Sequence, residues 1–357
     1  MALTKLARIG LCCALVARAS SAAAQAIAVD VDQSAGYSTE DVAAAHTKLR
    51  AFGEVKPDIR FNVTGVWGRQ SEESDAFAAA YPYTDRPVVL DAYVERTFRP
   101  SGGLFGLRVG RYRTPFGISS ESDQGYVGFQ RNPLVRYDDC FALSSTFFEH
   151  GADVVVGPPR ASLEASVGTP GDVGEHTRAG GVDAVLRAQA VVGSFIVGAS
   201  VIRTRPHLPH ADLESATGFG ADAAIDAEQD EGEREPASGT AAFGGIDVRW
   251  MRDGVQLRGE YISGRPFDGA RTHGGYVDLI VHRAFMGPIT AALRAERIAS
   301  RDAGISVLAG ERYTAATRIR LPRGFFAHLG IVHNTATLIE RRATAIDAGV
   351  SYSVRLE

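Results

Sequence analysis

The stretch "IDAGVSYSVRL" runs from Ile346 to Leu356. Ile346, Ala348, Val350, Tyr352, Val354 and Leu356 take every second place, and Asp347, Gly349, Ser351, Ser353 and Arg355 fill the places between. A period of two puts the two sets on opposite faces of a β-strand. A half-buried strand of a soluble sheet would read the same way, so the deciding question is which solvent wets each face.

The pattern recurs upstream. In "RYTAATRIRL", Tyr313, Ala315, Thr317, Ile319 and Leu321 oppose Arg312, Thr314, Arg318 and Arg320. In "GIDVRWM", Ile246, Val248 and Trp250 oppose Asp247 and Arg249, and in "VQLRGEY", Val255, Leu257 and Tyr261 oppose Gln256, Arg258 and Glu260. "RASLEASV" and "DIRFNVTGVW" divide likewise. Sixteen such segments are predicted, near residues 26–33, 46–55, 58–68, 87–98, 104–113, 150–157, 160–168, 178–190, 192–204, 240–252, 254–265, 273–284, 288–298, 310–321, 324–336 and 343–356. The first is the weakest, and "STEDVAAAHTKL" after it reads as the start of a helix capped by Ser38.

The connections alternate in length. Short ones fall at Lys56-Pro57, Ser101-Gly102-Gly103, Pro158-Pro159, Val191, Asp253-Gly254, Met286-Gly287 and Pro322-Arg323. Long ones fall near 69–86, 114–149, 169–177, 205–239, 266–272 and 299–309. A sandwich has no reason to sort its turns by parity. A membrane barrel has one, because tight turns sit on its periplasmic rim and long loops on its external rim. In hydrocarbon every backbone N–H and C=O must be paired within the protein, so a sheet can cross only if it closes on itself. The fold expected is therefore all-β, a transmembrane up-and-down antiparallel barrel of about sixteen strands. Trp67, Tyr112, Trp250, Tyr261, Phe325 and Tyr352 are placed for its aromatic girdles.

The N-terminus fits a Gram-negative outer-membrane location. Lys5 and Arg8 precede the apolar "IGLCCALVA", and small residues follow, with a cut expected after Ala24 or Ala26. Residues 1–26 are read as signal peptide and 27–357 as the barrel. The processed chain keeps one cysteine, Cys140, and so forms no internal disulfide. The net charge of −4 argues against a nucleic-acid partner. Lys5, Lys48 and Lys56 are the only lysines, against 35 arginines.

"VVLDAYVERTF" (Val88 to Phe98) is followed by "GLRVGRYRTPFG" (Gly106 to Gly117). This pair resembles the strand pair and TPFG turn of phosphate- and polyphosphate-selective porins, and "HGADVVVG" with "LEASVGTPGD" resembles the next hairpin of that family. The resemblance is specific over about residues 86–172. It implies a sixteen-stranded outer-membrane porin, often a homotrimer, with a loop folded into the lumen. Phosphate-selective members line the lumen with lysine. Here arginine would have to carry that charge.

Lumenal charge sets the ion preference of a pore. Alternation turns Arg60, Arg108, Arg187, Arg249, Arg258, Arg294, Arg318 and Arg320 inward, with Asp91, Glu95, Asp183, Asp247, Glu260, Asp278, Glu296 and Asp347. Of these, Arg60, Asp91, Glu95, Arg108, Arg249, Arg258, Glu260, Arg294, Arg318 and Arg320 are the pore-lining candidates. They form either opposed charged strips with a field across the lumen, or ion pairs that scaffold a wet interior. The aromatic-rich loop near 114–149 is expected to fold inward and narrow the pore, or else to make subunit contacts. The acidic loop near 205–239 is expected to be mobile, solvated and external.

No catalytic residue, cofactor or metal is expected. Ser144, Ser145, His150 and Asp153 lie within ten residues, but no G-x-S-x-G, H-E-x-x-H or phosphate-cradling loop is present. His207 and His210 stand in a proline-broken segment that does not align them as ligands. The function expected is passive diffusion of small hydrophilic solutes or ions, anions such as phosphate among them, across the lipid of the outer membrane. The alternatives are a non-conducting barrel with a structural or adhesion role, and a secreted soluble β-protein.

Overall fold

The structure is a computed structural model and describes residues 27–71, 87–118, 127–136, 148–170, 181–204, 240–265, 271–282, 287–302, 305–335 and 344–356. The signal segment 1–26, Cys140, Ser144, Ser145, His207, His210 and the acidic loop 205–239 lie outside the described residues. The strands are β1 (Ile27–Ser38), β2 (Val42–Lys56), β3 (Ile59–Gln70), β4 (Val88–Phe98), β5 (Leu104–Arg113), β6 (Phe148–Gly157), β7 (Ala161–Pro170) and β8 (Asp183–Val192). They continue as β9 (Phe195–Thr204), β10 (Ala241–Arg252), β11 (Val255–Arg265), β12 (Arg271–Val281), β13 (Ile289–Asp302), β14 (Ile305–Arg320), β15 (Phe325–Asn334) and β16 (Thr344–Leu356).

Each strand pairs antiparallel with its neighbours in sequence, and β1 pairs with β16 to close the barrel, Val29 standing opposite Leu356. Closure leaves no strand edge for lipid to meet. Every strand has ten or more residues, the length that a tilted strand needs to cross the hydrocarbon layer. Among the described residues no helix is long and apolar enough to cross a membrane.

Burial is inverted relative to a soluble protein. Ile246 is 62 % exposed and Val277 54 %, while Asp247 is 5 % exposed and Asp278 0 %. Water would drive those faces the other way round, because exposed apolar area costs free energy and buried charge costs more. Lipid outside and a polar interior make both placements favourable. The architecture is that of an outer-membrane β-barrel.

The turns on one rim follow local rules. Asp253 (φ 50°) and Gly254 (φ 80°) form the two-residue link of β10 and β11, both in the left-handed region that an Asp-Gly hairpin turn requires. The β8–β9 turn sits at Gly193-Ser194, two residues beyond the predicted link at Val191, because Gly193 supplies the positive φ of 61° that a β-branched valine resists.

Three sequence expectations are corrected. The segment after Ser38 is strand β2, not a helix: Val42, Ala44 and His46 are buried while Ala43 and Ala45 are exposed. Its backbone is held between β1 and β3, so pairing overrides the helix propensity of its alanines. The predicted long loop at 299–309 is instead the ends of β13 and β14, joined through 303–304. The first hairpin also turns tightly, at residues 39–41, where Asp41 takes φ 65°. Two of the connections on the long-loop rim are thus short. Finally, Tyr112 is no girdle residue. It is 1 % exposed and shares the inner face with Arg108, its hydroxyl 2.8 Å from Ser166 Oγ. Trp67, Tyr261 and Phe325 are exposed, and the Phe325 and Tyr352 rings lie 4.8 Å apart. Between Arg108 and Tyr112 stands Gly110 at φ 130°, where a Cβ would run into the Ala92 carbonyl and Tyr93, so glycine lets β4 and β5 approach at this point.

Candidate channel interior

The inner faces of β8 to β14 carry charges of alternating sign at register positions that bring them into contact. Arg312 on β14 donates to Glu296 on β13 at 2.6 Å. Arg294 on β13 and Arg258 on β11 both donate to Asp278 on β12, at 2.7 and 2.8 Å. Arg187 on β8 reaches across β9 to Asp247 on β10 at 2.9 Å. All seven side chains are buried. On this part of the wall the arginines and carboxylates are paired rather than drawn apart into opposed strips.

Residues 114–118 and 127–136, from the connection between β5 and β6, rest on this wall. Two kinds of contact hold them. Phe116, Ile118, Leu134 and Val135 pack in one apolar cluster with Val185, Ile202, Phe243, Ile262, Tyr276 and Ile298. Val127 and Phe129 pack with Ile280, Ala292 and Ala316. The second kind satisfies the segment's backbone, which has no strand partner. Glu260 accepts from the Ile118 amide at 3.3 Å and Glu296 from the Leu134 amide at 2.9 Å. Arg294 donates to the Arg131 carbonyl at 3.2 Å, Arg312 donates to the Asn132 carbonyl, and the Arg294 guanidinium stacks 3.8 Å from the Phe129 ring centroid. Arg131 itself is buried and bidentate on Asp347 of β16, at 2.7 and 2.9 Å, with Glu40 at 2.9 Å.

The other side of the interior is a cavity of about 540 Å³ against β3 to β7. Arg60, Arg108 and Arg113 line it together with Asp91, Glu95, Asp153 and Glu164, and the rings of Tyr93 and Tyr112. Arg108 joins several of these groups. It donates to Glu95 at 3.1 Å, lies 3.5 Å from Asp153, and faces the Tyr93 ring at 5.1 Å.

The ten candidates therefore separate into groups. Arg60, Asp91, Glu95 and Arg108 meet in the cavity, with Arg60 exposed near the short-turn rim and paired to Glu54. Arg258, Glu260 and Arg294 lie under the docked segment. Arg249 donates to Gln189 at 2.7 Å, Arg318 stacks on Phe326 at 3.7 Å, and Arg320 is exposed at the short-turn rim. Sequence reasoning missed Arg131. Its signal was a single charge within the otherwise apolar and polar run "VGFQRNPLV", which asks for a carboxylate elsewhere. His150 and Asp153 do not come together: His150 meets Arg111 at 2.8 Å on the exposed face, and Asp153 turns inward to Arg108. Among the described residues no three His, Cys, Asp or Glu side chains form a metal-ligand group.

No protein-family model matches the chain, and no curated protein matches its sequence. Solved structures do match in fold. OprB of Pseudomonas putida is similar at TM-score 0.62 and 9 % identity, covering 93 % of this chain and 94 % of its own. OmpF of Salmonella typhi, in complex with daunomycin, is similar at TM-score 0.60 and 10 % identity, covering 92 % and 97 %. A porin structure is similar at TM-score 0.52 and 12 % identity, covering 92 % of this chain and all of that one. At such identities the likeness carries the fold: this chain has the closed-barrel architecture of outer-membrane porins.

Proposed function

We propose that this chain is an outer-membrane diffusion channel for small hydrophilic solutes and ions. One observation carries the reading: a closed barrel with an apolar exterior encloses a charged interior, where an internal segment occupies one wall and a polar cavity runs along the other. Such a constriction selects by size and by the charge that lines it. In this reading the cavity side is the permeation path, and the paired charges beneath residues 114–118 and 127–136 hold the constriction in place.

The finer reading is a preference for anions such as phosphate. It rests on Arg60, Arg108 and Arg113 in the cavity wall and on the porin-like stretch 86–172. Homotrimeric assembly belongs to the same reading. The test is the reversal potential in a salt gradient across a planar bilayer. Arg108→Ala is expected to move selectivity toward cations by up to about fivefold in permeability ratio, the factor that ~1 kcal/mol of Coulomb energy at 4 Å in water represents. An unchanged reversal potential would place Arg108 off the path.

A further inference from the structure

Arginines also occur on the outer face, at the long-loop rim of β9 to β12. Along β9 the exposed Val197 and Val201 set the outward parity, and Arg203 continues it one residue before the strand ends. On β11 the outward Leu257 and Tyr261 lead to Arg265, the last residue of the strand. On β12 the outward Leu279 and Val277 lead back to Arg271, the first. The register places the three at one height. Ala242 of β10 is opposite both Arg203 and Arg265, and Gly264 is opposite Thr272, which brings Arg265 level with Arg271. With strands roughly 4.8 Å apart, the three residues make a row about 15 Å long.

On the opposite rim several arginines are ion-paired, while Arg320 and Arg323 are exposed there with no carboxylate partner among the described residues. There Arg60 pairs with Glu54, Arg252 with Asp253 and Arg355 with Asp30. Arg96 donates to Asp58 at 2.8 Å, and this holds the Asp58 carboxyl below the usual carboxylate range. Among the described residues, Arg203, Arg265 and Arg271 have no carboxylate partner. All three are exposed. Below them, past Gly244, Ser263 and His273 on the same face, lies apolar wall, with Val201, Ile246, Tyr261 and Val277 all exposed. Cationic groups at the membrane surface above an apolar face match a lipid that has a phosphorylated head and hydrocarbon chains.

We propose that the row Arg203, Arg265 and Arg271 binds the phosphorylated headgroup of a lipid in the external leaflet, whose chains lie on the apolar wall of β9 to β12. The guanidiniums supply paired N–H donors to phosphate oxygens. The strand register fixes their spacing, so the site is preformed. It is independent of whether the lumen conducts.

The test uses the full barrel in neutral detergent, with lipid adducts measured by native mass spectrometry. Bis-phosphorylated lipid A is the probe, and phosphatidylcholine and inorganic phosphate are the comparison arms. Lipid A is expected to bind the wild type, and to bind R203Q/R265Q/R271Q at least about tenfold more weakly. Phosphatidylcholine is expected to bind both poorly, and excess inorganic phosphate to leave the adduct in place. Equal lipid A binding by wild type and variant would overturn the proposal, as would equal phosphatidylcholine binding. Displacement by inorganic phosphate would assign the row to free anions instead. If the triple variant fails to show heat-modifiable migration, Arg265→Gln alone is read in its place. That variant should weaken lipid A binding by about fivefold.

Discussion

Arg131→Met is expected to raise single-channel conductance and to lower the temperature at which the folded barrel loses its compact migration on gels. Methionine keeps the apolar stem of the side chain but removes every donor. Asp347 would lose a bidentate partner at 2.7 and 2.9 Å, and Glu40 one at 2.9 Å. Arg131 and Asp347 are both nearly inaccessible, at 2 % and 1 % exposure. Breaking a buried pair by deleting one partner costs about 3–5 kcal/mol, because the remaining charge stays desolvated. That energy falls on residues 127–136, which have no strand partner and rely on such contacts. The segment is expected to leave the wall and widen the path. R131M/D347N should recover part of the lost stability, since the double change removes one of the two orphaned carboxylates and leaves Glu40 charged. Unchanged conductance in Arg131→Met would mean that the segment is held by its apolar packing and its backbone contacts to Glu296, Arg294 and Arg312.

Asp278→Ala carries the other large expected effect. Asp278 is 0 % exposed and accepts from both Arg258 and Arg294. Its loss leaves two buried guanidiniums without that carboxylate, and Arg294 also supports the segment through the Arg131 carbonyl and the Phe129 ring. The barrel is expected to lose about 3–5 kcal/mol in urea-induced unfolding, by the same desolvation argument. The interior gains net positive charge, so the reversal potential should move toward anions. Asp278→Asn should show the same direction with a smaller loss of stability, because the amide oxygen still accepts. A variant with wild-type stability would show that the ladder is solvated more deeply than its burial indicates.

Much of this molecule is legible in its sequence, for a physical reason. A strand's period of two is visible locally, and membrane and lumen impose it along every strand, so all sixteen segments can be found from residues alone. Local reading fails where the constraint is not local. The alanines after Ser38 favour a helix until β1 and β3 claim their backbone. Tyr112 reads as a girdle residue because tyrosine suits a membrane interface, yet its strand position sets it beside Arg108 on the inner face. The Arg131 partner Asp347 lies 216 residues away, across the closed barrel, and no sequence pattern links the two. The inward charges could be assigned to a face by parity alone. Which of them pair, as Arg258 and Arg294 do on Asp278, depends on register, which alternation does not specify.

Reconstitution of the purified wild-type barrel into a planar bilayer tests the central claim most directly. The account predicts discrete, voltage-independent conductance steps that scale with salt concentration and grow larger in Arg131→Met. A folded, heat-modifiable barrel that inserts without producing steps would contradict it, and would assign this chain to the non-conducting barrels.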